Sequence, residues 1–441
     1  MNQHFSIPCL YPVFGERNIP SPLKTFLSPH HFIDDNKNAI LANLMAHEQP
    51  SPSLEIAGPR ENIFWASDKI KVALVTCGGL APGLNNVVQS IVRVLYDRYK
   101  VRRILGVPFG LQGFSHDSTT KQFQFDWCPL EDHFVQNIDS EAGSILGTSR
   151  GHSNAAHIVD ALQLQNIQIL FMIGGDGTLR GAYSIYQEVT QRNLPISVIG
   201  IPKTVDNDIP WVSKSFGFDT AVAQGAEAIR CAITEARSAY HGIGLVKIMG
   251  RHSGALAATA AAAVTDVDFV LIPEVDLILD GPYGFFHNLS RCILEKGYAT
   301  IVVAEGTGQN LFSETNKEYD PSGNPKLNDI GRFLQEKILT YFKEQSIDVT
   351  LKYIDPSYIL RSQLTSADDS IFCSHLGQHA VHAAMSGKTG LMIGYVHEYF
   401  THIPLEALQG KKKRLDINSP LWLSLLASTG QPREWILKDT L

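Results

Sequence analysis

The sequence predicts an α/β protein built on open parallel sheets and divided into two domains. Two observations carry the parallel sheet. The runs Ile167-Gln168-Ile169-Leu170-Phe171-Met172-Ile173 and Ile196-Ser197-Val198-Ile199-Gly200-Ile201 are strongly apolar, as expected of strands covered on both faces. Each runs into a loop rich in Gly, Asp or Lys, and helix-forming sequence from Leu179 to Thr190 lies between them. The third observation is length: 441 residues exceed the roughly 250–300 at which a single core splits.

These two strands set two loops side by side at the carboxyl edge of one sheet, where open α/β sheets bind ligands. The first is Gly174-Gly175-Asp176-Gly177-Thr178. Its glycine N–H groups can approach phosphate oxygens closely, and the following helix N-terminus favours negative charge. Asp176 would repel phosphate unless a divalent cation lay between them, so it reads as a Mg²⁺ ligand. The second loop is Pro202-Lys203-Thr204-Val205-Asp206-Asn207-Asp208. Asp206 and Asp208 suit a proton acceptor and a carboxylate that supports it or the metal, while Lys203 and Thr204 suit a migrating phosphoryl group. The chemistry is phosphoryl transfer.

Composition narrows the class. Hydrophobic residues make up 44% and charged residues 18% of the chain, the balance of a globular protein. A formal net charge of −7 gives no electrostatic case for nucleic acid or an acidic membrane. The six cysteines (Cys9, Cys77, Cys128, Cys231, Cys292, Cys373) form no C-x-x-C pair and read as reduced, mostly buried thiols of a cytoplasmic protein. Met1 to Ser6 lack a basic and apolar leader pattern, and the Ala-rich run Ala255–Val264 is far short of the ~20 residues that span a bilayer.

In chain order, residues 1–68 read as a proline-rich extension with one helix around Asp35–His47, an arm that packs on the surface or across a subunit contact. Ile70–Thr76 is a strand leading into Cys77-Gly78-Gly79-Leu80-Ala81-Pro82-Gly83-Leu84-Asn85-Asn86, a second phosphate-loop candidate. Ile104–Val107 is a strand ending at Pro108–Gly113. After Asp208, a helix from Ala221 to Tyr240 leads into the second domain. The strand Ile243–Ile248 delivers Met249-Gly250-Arg251-His252, where a guanidinium is set for bidentate contact with a sugar phosphate. Strands Phe269–Glu274 and Thr300–Gly306 each end in an acid, and His252 and Glu274 read as structural. Lys352, Tyr358 and Arg361 lie in one short segment, before a helix Asp368–Ser386 and a strand Leu391–Val396. The basic run Lys411–Arg414 reads as a solvated loop. His382–Thr389 nearly spells a P-loop, but it closes a helix before a strand, the wrong order for that motif.

Gly-Gly-Asp-Gly-Thr followed by Pro-Lys-Thr-Val-Asp-Asn-Asp resembles the 6-phosphofructokinase family, and the match continues from about Lys69 towards the C-terminus in five separated motifs. The resemblance implies two Rossmann-like three-layer α/β/α domains with the active site in the cleft between them. It implies a nucleotide-binding domain of residues 69–218 and 359–410, and a fructose 6-phosphate domain of residues 219–358 and 411–441. It carries ATP contacts onto Gly79, Arg150, Gly151, Gly175, Asp176, Gly177 and Thr178. Fructose 6-phosphate contacts fall on Thr204, Val205, Asp206, Met249, Gly250, Arg251, Glu305, Lys352, Tyr358 and Arg361. Catalysis falls on Asp206 as base, with Thr204 and Arg251, and Mg²⁺ on Asp176. A homo-oligomer, dimer or tetramer, is implied, with no nucleic-acid or membrane partner.

Donor choice turns on two positions. Pyrophosphate users of the family carry a carboxylate where this chain has Gly177, whereas many ATP users have Gly where it has Lys203. Gly177 favours ATP because sterics at the nucleotide exclude; pyrophosphate is the alternative. The mixture resembles the long ATP-dependent enzymes of plants and trypanosomes, which share Lys352-Tyr353-Ile354-Asp355-Pro356-Ser357-Tyr358. Tyr240-His241-Gly242 stands where short bacterial enzymes have an Arg that reaches a neighbouring subunit's substrate. NAD and diacylglycerol kinases share Gly-Gly-Asp-Gly-Thr but lack the other motifs. A non-catalytic sensor would have lost Asp176, Asp206 or Asp208, and all three are present.

Overall fold

A computed structural model describes residues 12–27, 32–34, 53–151, 154–312, 318–319 and 325–436. The helix expected around Asp35–His47, the leader region Met1–Ser6 and Cys9 lie outside them. The main strands, in chain order, are β1 (Val72–Thr76), β2 (Ile104–Val107), β3 (Cys128–Pro129), β4 (Ile169–Gly174), β5 (Ser197–Pro202), β6 (Gly242–Ile248), β7 (Phe269–Leu271), β8 (Tyr298–Ala304), β9 (Thr350–Ile354), β10 (Leu391–Val396) and β11 (Tyr399–Pro404). The α-helices are α1 (Leu84–Arg93), α2 (Ala155–Leu164), α3 (Asp176–Gln191), α4 (Phe218–Arg237), α5 (Ala255–Ala262), α6 (Phe285–Lys296), α7 (Ile330–Glu344), α8 (Ala367–Met385) and α9 (Pro420–Thr429).

The chain forms two compact units. The first comprises the described residues up to Thr204, with Ile209–Gly217 and Leu364–Lys412; the second comprises Val205–Asp208, Phe218–Gln363 and the residues from Lys413 on. In the first, the sheet order is β11-β10-β5-β4-β1-β2-β3. Its centre is parallel, and β3 and β11 close the two edges antiparallel. Every residue of β1, β4 and β5 is buried, which explains their unbroken apolar character. Ala73, Val75, Leu170, Met172 and Val198 face Ile158 and Leu162 of α2 and Leu179 and Ile185 of α3. The other face takes α8, which packs on β5 and on α1. Three layers result.

The second unit is a four-stranded parallel sheet in the order β7-β8-β6-β9. Ile243, Leu245, Ile301 and Val303 join Phe285, Leu289 and Ile293 of α6 and Leu334 and Ile338 of α7 in one core. On the opposite face α4 packs against β6, β8 and β9. β7 stops at Leu271, short of the expected Glu274, because Pro273 has no N–H for a ladder and Glu274 is used elsewhere.

The described part of the N-terminal extension is tied into the first unit. Glu55 accepts hydrogen bonds from Arg60 (2.9 Å) and Lys388 (2.7 Å) and pairs with His402 Nδ1 (3.1 Å). Burial alone would raise the Glu55 carboxyl, yet His402 and Lys388 hold it well below the usual carboxylate range. The thiols are less hidden than expected: Cys77 and Cys373 are buried, Cys128 and Cys292 half-buried, and Cys231 exposed, all free. Gly387 at φ 77 follows the C-terminus of α8, so the near P-loop does end a helix. Among the described residues no helix is long and apolar enough to cross a membrane.

Candidate active site

In the first unit, parallel register decides what meets at the carboxyl edge. Thr76 pairs with Ile173 and Gly174 with Pro202, so the loops after β1, β4 and β5 leave the sheet side by side. The Cys77 N–H donates to Ile173 O (2.8 Å), and the Lys203 N–H to Gly174 O (3.0 Å). The Lys203 ammonium donates to the Gly79 carbonyl, crossing from the β5 loop to the β1 loop, and the residue is buried. The segment carrying Arg150 docks on the same edge: Gly78 N–H donates to Ser149 O (3.0 Å) and Thr76 Oγ1 to Gly147 O (2.7 Å). Asn85 in α1 anchors it further, accepting from Ile145 N–H and donating to Glu141 O. Arg150 and Gly151 at its end are exposed.

Helix α3 starts at Asp176, earlier than the expected Leu179, so Asp176 and Gly177 form its first turn. Asp176 pairs with Arg180 at 2.9 Å, one turn along the helix. Thr178 is buried, packed over Gly174, where any side chain would collide with it. Among the described residues, nothing outside its own turn of helix and chain neighbours lies within 4 Å of the Cβ that Gly177 lacks. The fold itself does not require glycine there.

In the second unit, Met249-Gly250-Arg251 after β6 and Glu305-Gly306 after β8 are brought together. Glu305 N–H donates to Ile248 O (2.9 Å) and Gly306 N–H to Gly250 O (3.0 Å). Gly250 has φ +138, and a Cβ on Gly306 would collide with the Arg251 carbonyl, so neither position takes a side chain. Burial raises the Glu305 carboxyl, against the charges of Arg251 and Lys247. The Arg251 Nε is buried and has no hydrogen-bond partner among the described residues. Glu274 is structural: it accepts from Gly254 N–H (3.0 Å) and Leu415 N–H (2.8 Å).

The cations after β8 are more dispersed. Lys352 lies within β9 opposite Gly244, four residues short of Ile248, roughly 13 Å from the edge where Arg251 sits at ~3.3 Å per residue. Tyr358 is exposed on a short 3₁₀ turn, with the Arg361 guanidinium 4.6 Å from its ring centroid. Val205 is buried; Asp206 is half-buried with its Oδ1 inaccessible, and Asn207 takes φ 50. Thr204 O accepts from Ser215 Oγ (2.8 Å).

Sequence reasoning missed several contacts around these loops. Arg180 was detectable only by its i,i+4 spacing from Asp176, on a helix that starts earlier than the sequence suggests. Lys247 pairs with Asp329 (3.0 Å) and Asp355 (2.9 Å), partners too far apart in sequence to leave a pattern. The basic run is not a solvated loop. Lys411 lies 4.1 Å from the Trp211 ring centroid, and Lys413 Nζ donates to Asn207 Oδ1 (3.1 Å), while Lys412 and Arg414 are exposed. Burial pushes the Lys413 ammonium down to about 8, against the charge of Asp208.

A family model described as Phosphofructokinase matches residues 71–384. The chain belongs to the phosphofructokinase family. It is 45% identical over 432 residues to an ATP-dependent 6-phosphofructokinase of Borreliella burgdorferi, covering 95% of each protein. It is 40% identical to the chloroplastic ATP-dependent 6-phosphofructokinase 5 of Arabidopsis thaliana, over 98% of this chain and 84% of that one. Among solved structures, a pyrophosphate-dependent phosphofructokinase from Marinobacter aquaeolei superposes with a TM-score of 0.64 at 19% identity, over 84% of this chain and 93% of that chain. At that identity the likeness shows the phosphofructokinase fold, and nothing about the donor.

Proposed function

We propose that this phosphofructokinase transfers the terminal phosphoryl group of ATP to the 1-hydroxyl of fructose 6-phosphate, giving fructose 1,6-bisphosphate. The observation that carries the reading is the Gly174–Pro202 register, which sets the Gly175–Gly177 loop beside the loop that runs on through Thr204 to Asp206. Gly79, Gly175, Gly177, Thr178, Arg150 and Gly151 are the donor-side contacts. Met249, Gly250, Arg251, Glu305, Lys352, Tyr358 and Arg361, with Thr204, Val205 and Asp206, are the sugar-phosphate contacts.

The chemistry follows from the side chains. Asp206 accepts the proton of the attacking hydroxyl, and Thr204 and Arg251 hold the phosphoryl group and the substrate as charge develops. Among the described residues the buried Arg251 Nε–H lacks a partner, a cost of roughly 1–3 kcal/mol that an anionic ligand would relieve. Asp176 fits a Mg²⁺ ion: it is a hard carboxylate in the first turn of α3 beside the open space at Gly177. Bound there, the ion would supply charge neutralisation at the donor phosphates.

ATP is favoured over pyrophosphate by Gly177 and by relatives at 40–45% identity whose names specify ATP. The position of Lys203, its ammonium on the Gly79 carbonyl, supports a loop-bridging role that suits either donor. We further place the enzyme in glycolysis, in the cytoplasm, as a homodimer or homotetramer. The test is the initial rate of fructose 1,6-bisphosphate formation with purified protein, Mg²⁺ and fructose 6-phosphate, comparing ATP with pyrophosphate. Activity with ATP alone is expected. Activity with pyrophosphate alone overturns the donor assignment, and silence with both overturns the enzyme reading.

A further inference from the structure

We propose that Lys413 is a positioning residue for this reaction, holding from the C-terminal segment the Asn207–Asp208 turn that follows Asp206. The inference rests on the reading of Asp206 as the base. Two contacts define the grip. The Lys413 backbone N–H donates to Asp208 O (3.2 Å), and its ammonium donates to Asn207 Oδ1 (3.1 Å). Asn207 stands at φ 50, a left-handed conformation that most non-glycine residues avoid and that Asn adopts more readily than they do. The side-chain bond to the half-buried Lys413 cation braces that conformation.

The same segment is anchored two residues on. Leu415 N–H donates to Glu274 Oε1 (2.8 Å), and both oxygens of Glu274 accept from Gly254 N–H (3.0 Å each) at the end of the Met249–Ser253 loop. Residues 413–415 are therefore strung between the loop of the proposed base and the loop of the proposed sugar-phosphate arginine, all within the second unit. Lys413 acts by fixing the backbone from which the Asp206 carboxylate projects, and a displacement of about 1 Å there is worth about 100-fold in rate.

The experiment compares wild type with Lys413→Met, Lys413→Gln and Asn207→Gly, the last keeping the positive φ while removing the bonded amide. Hydrogen exchange of the amides in residues 204–210 is measured alongside kcat and KM, with circular dichroism to confirm folding. Lys413→Met should speed exchange in that segment about 10-fold and lower kcat about 10- to 100-fold, with KM for fructose 6-phosphate and ATP within about three-fold. Lys413→Gln, which keeps a donor, should recover much of kcat. Lys413→Met should add little once Asn207→Gly is present. Unchanged exchange in Lys413→Met overturns the proposal, as do independent, additive losses in the double variant. The exchange arm needs no turnover, so a wild-type protein without kinase activity would sink the reaction assigned to the site and leave the grip on the turn decided separately.

Discussion

Replacing Gly177 by Ala sets stability against function. Gly177 is the second residue of α3, and its missing Cβ faces open space. For the fold alone, the methyl group is beneficial: glycine within a helix costs roughly 0.5–1 kcal/mol relative to alanine. In a unit of about 260 residues that corresponds to a rise in Tm of about 1–2 °C. If the space belongs to the donor phosphates, the same methyl meets the ligand, and kcat/KM for ATP should fall at least about 10-fold, or about 1.4 kcal/mol. Differential scanning fluorimetry reads the first effect, and coupled initial rates with varied ATP read the second. A higher Tm with kcat/KM for ATP within about two-fold of wild type would refute the reasoning. Gly177→Asp adds bulk and charge, and should damage ATP use more than pyrophosphate use. Equal losses with both donors would remove the steric basis of donor choice.

Asp206→Ser should lower kcat by about 10²–10⁴-fold with modest change in KM; near-normal turnover takes the base role from Asp206. Arg251→Ala should chiefly raise KM for fructose 6-phosphate, and an unchanged KM contradicts its placement. Lys203→Met leaves the Gly79 carbonyl without its donor, so it should cost about 1–3 kcal/mol of stability; denaturant melts that match wild type would show that the bridge contributes nothing. The pH dependence of stability comes from three histidines, His382 and His402 buried and His379 half-buried. Burial holds His379 at about 3, His382 at about 4 and His402 at about 4. Below the unfolded value of about 6.5 the unfolded chain binds more protons than the folded one. Stability is therefore full above that pH and is lost as pH falls towards 4, and Glu55, held low, acts in the same direction at lower pH. Tm should drop steadily from pH 7 to pH 5, with a shallower slope in His379→Gln; a flat profile would mean these rings are already protonated in the fold.

Where one short stretch of sequence carries its own cause, the structure followed it closely. Ile104–Val107 and Leu391–Val396 are strands at the bounds read from their apolar runs. The helix near Asp368–Ser386 starts at Ala367, after Ser366, whose side chain accepts from Asp369 N–H. The start of α3 was misjudged because Asp176 and Gly177 are poor helix formers by propensity; packing and the helix N-terminus override that preference. The basic run was misjudged because charge predicts solvent only when no neighbouring loop offers acceptors, and Asn207 and Asp208 offer them to Lys413.

The sequence by itself determined the α/β class and the residue types of the phosphoryl-transfer loops, since strand periodicity, glycine permissiveness and carboxylate spacing are local properties. It also carried the motifs by which the phosphofructokinase family is recognised. Only the tertiary structure decided that Gly177 faces open space, that Arg251 keeps a buried donor beside Glu305, and that Lys203, Lys247 and Lys413 are tied into loops rather than solvated. Each depends on which strands are neighbours and in what register, so partners up to about 200 residues apart meet through burial and hydrogen bonding that no local pattern encodes.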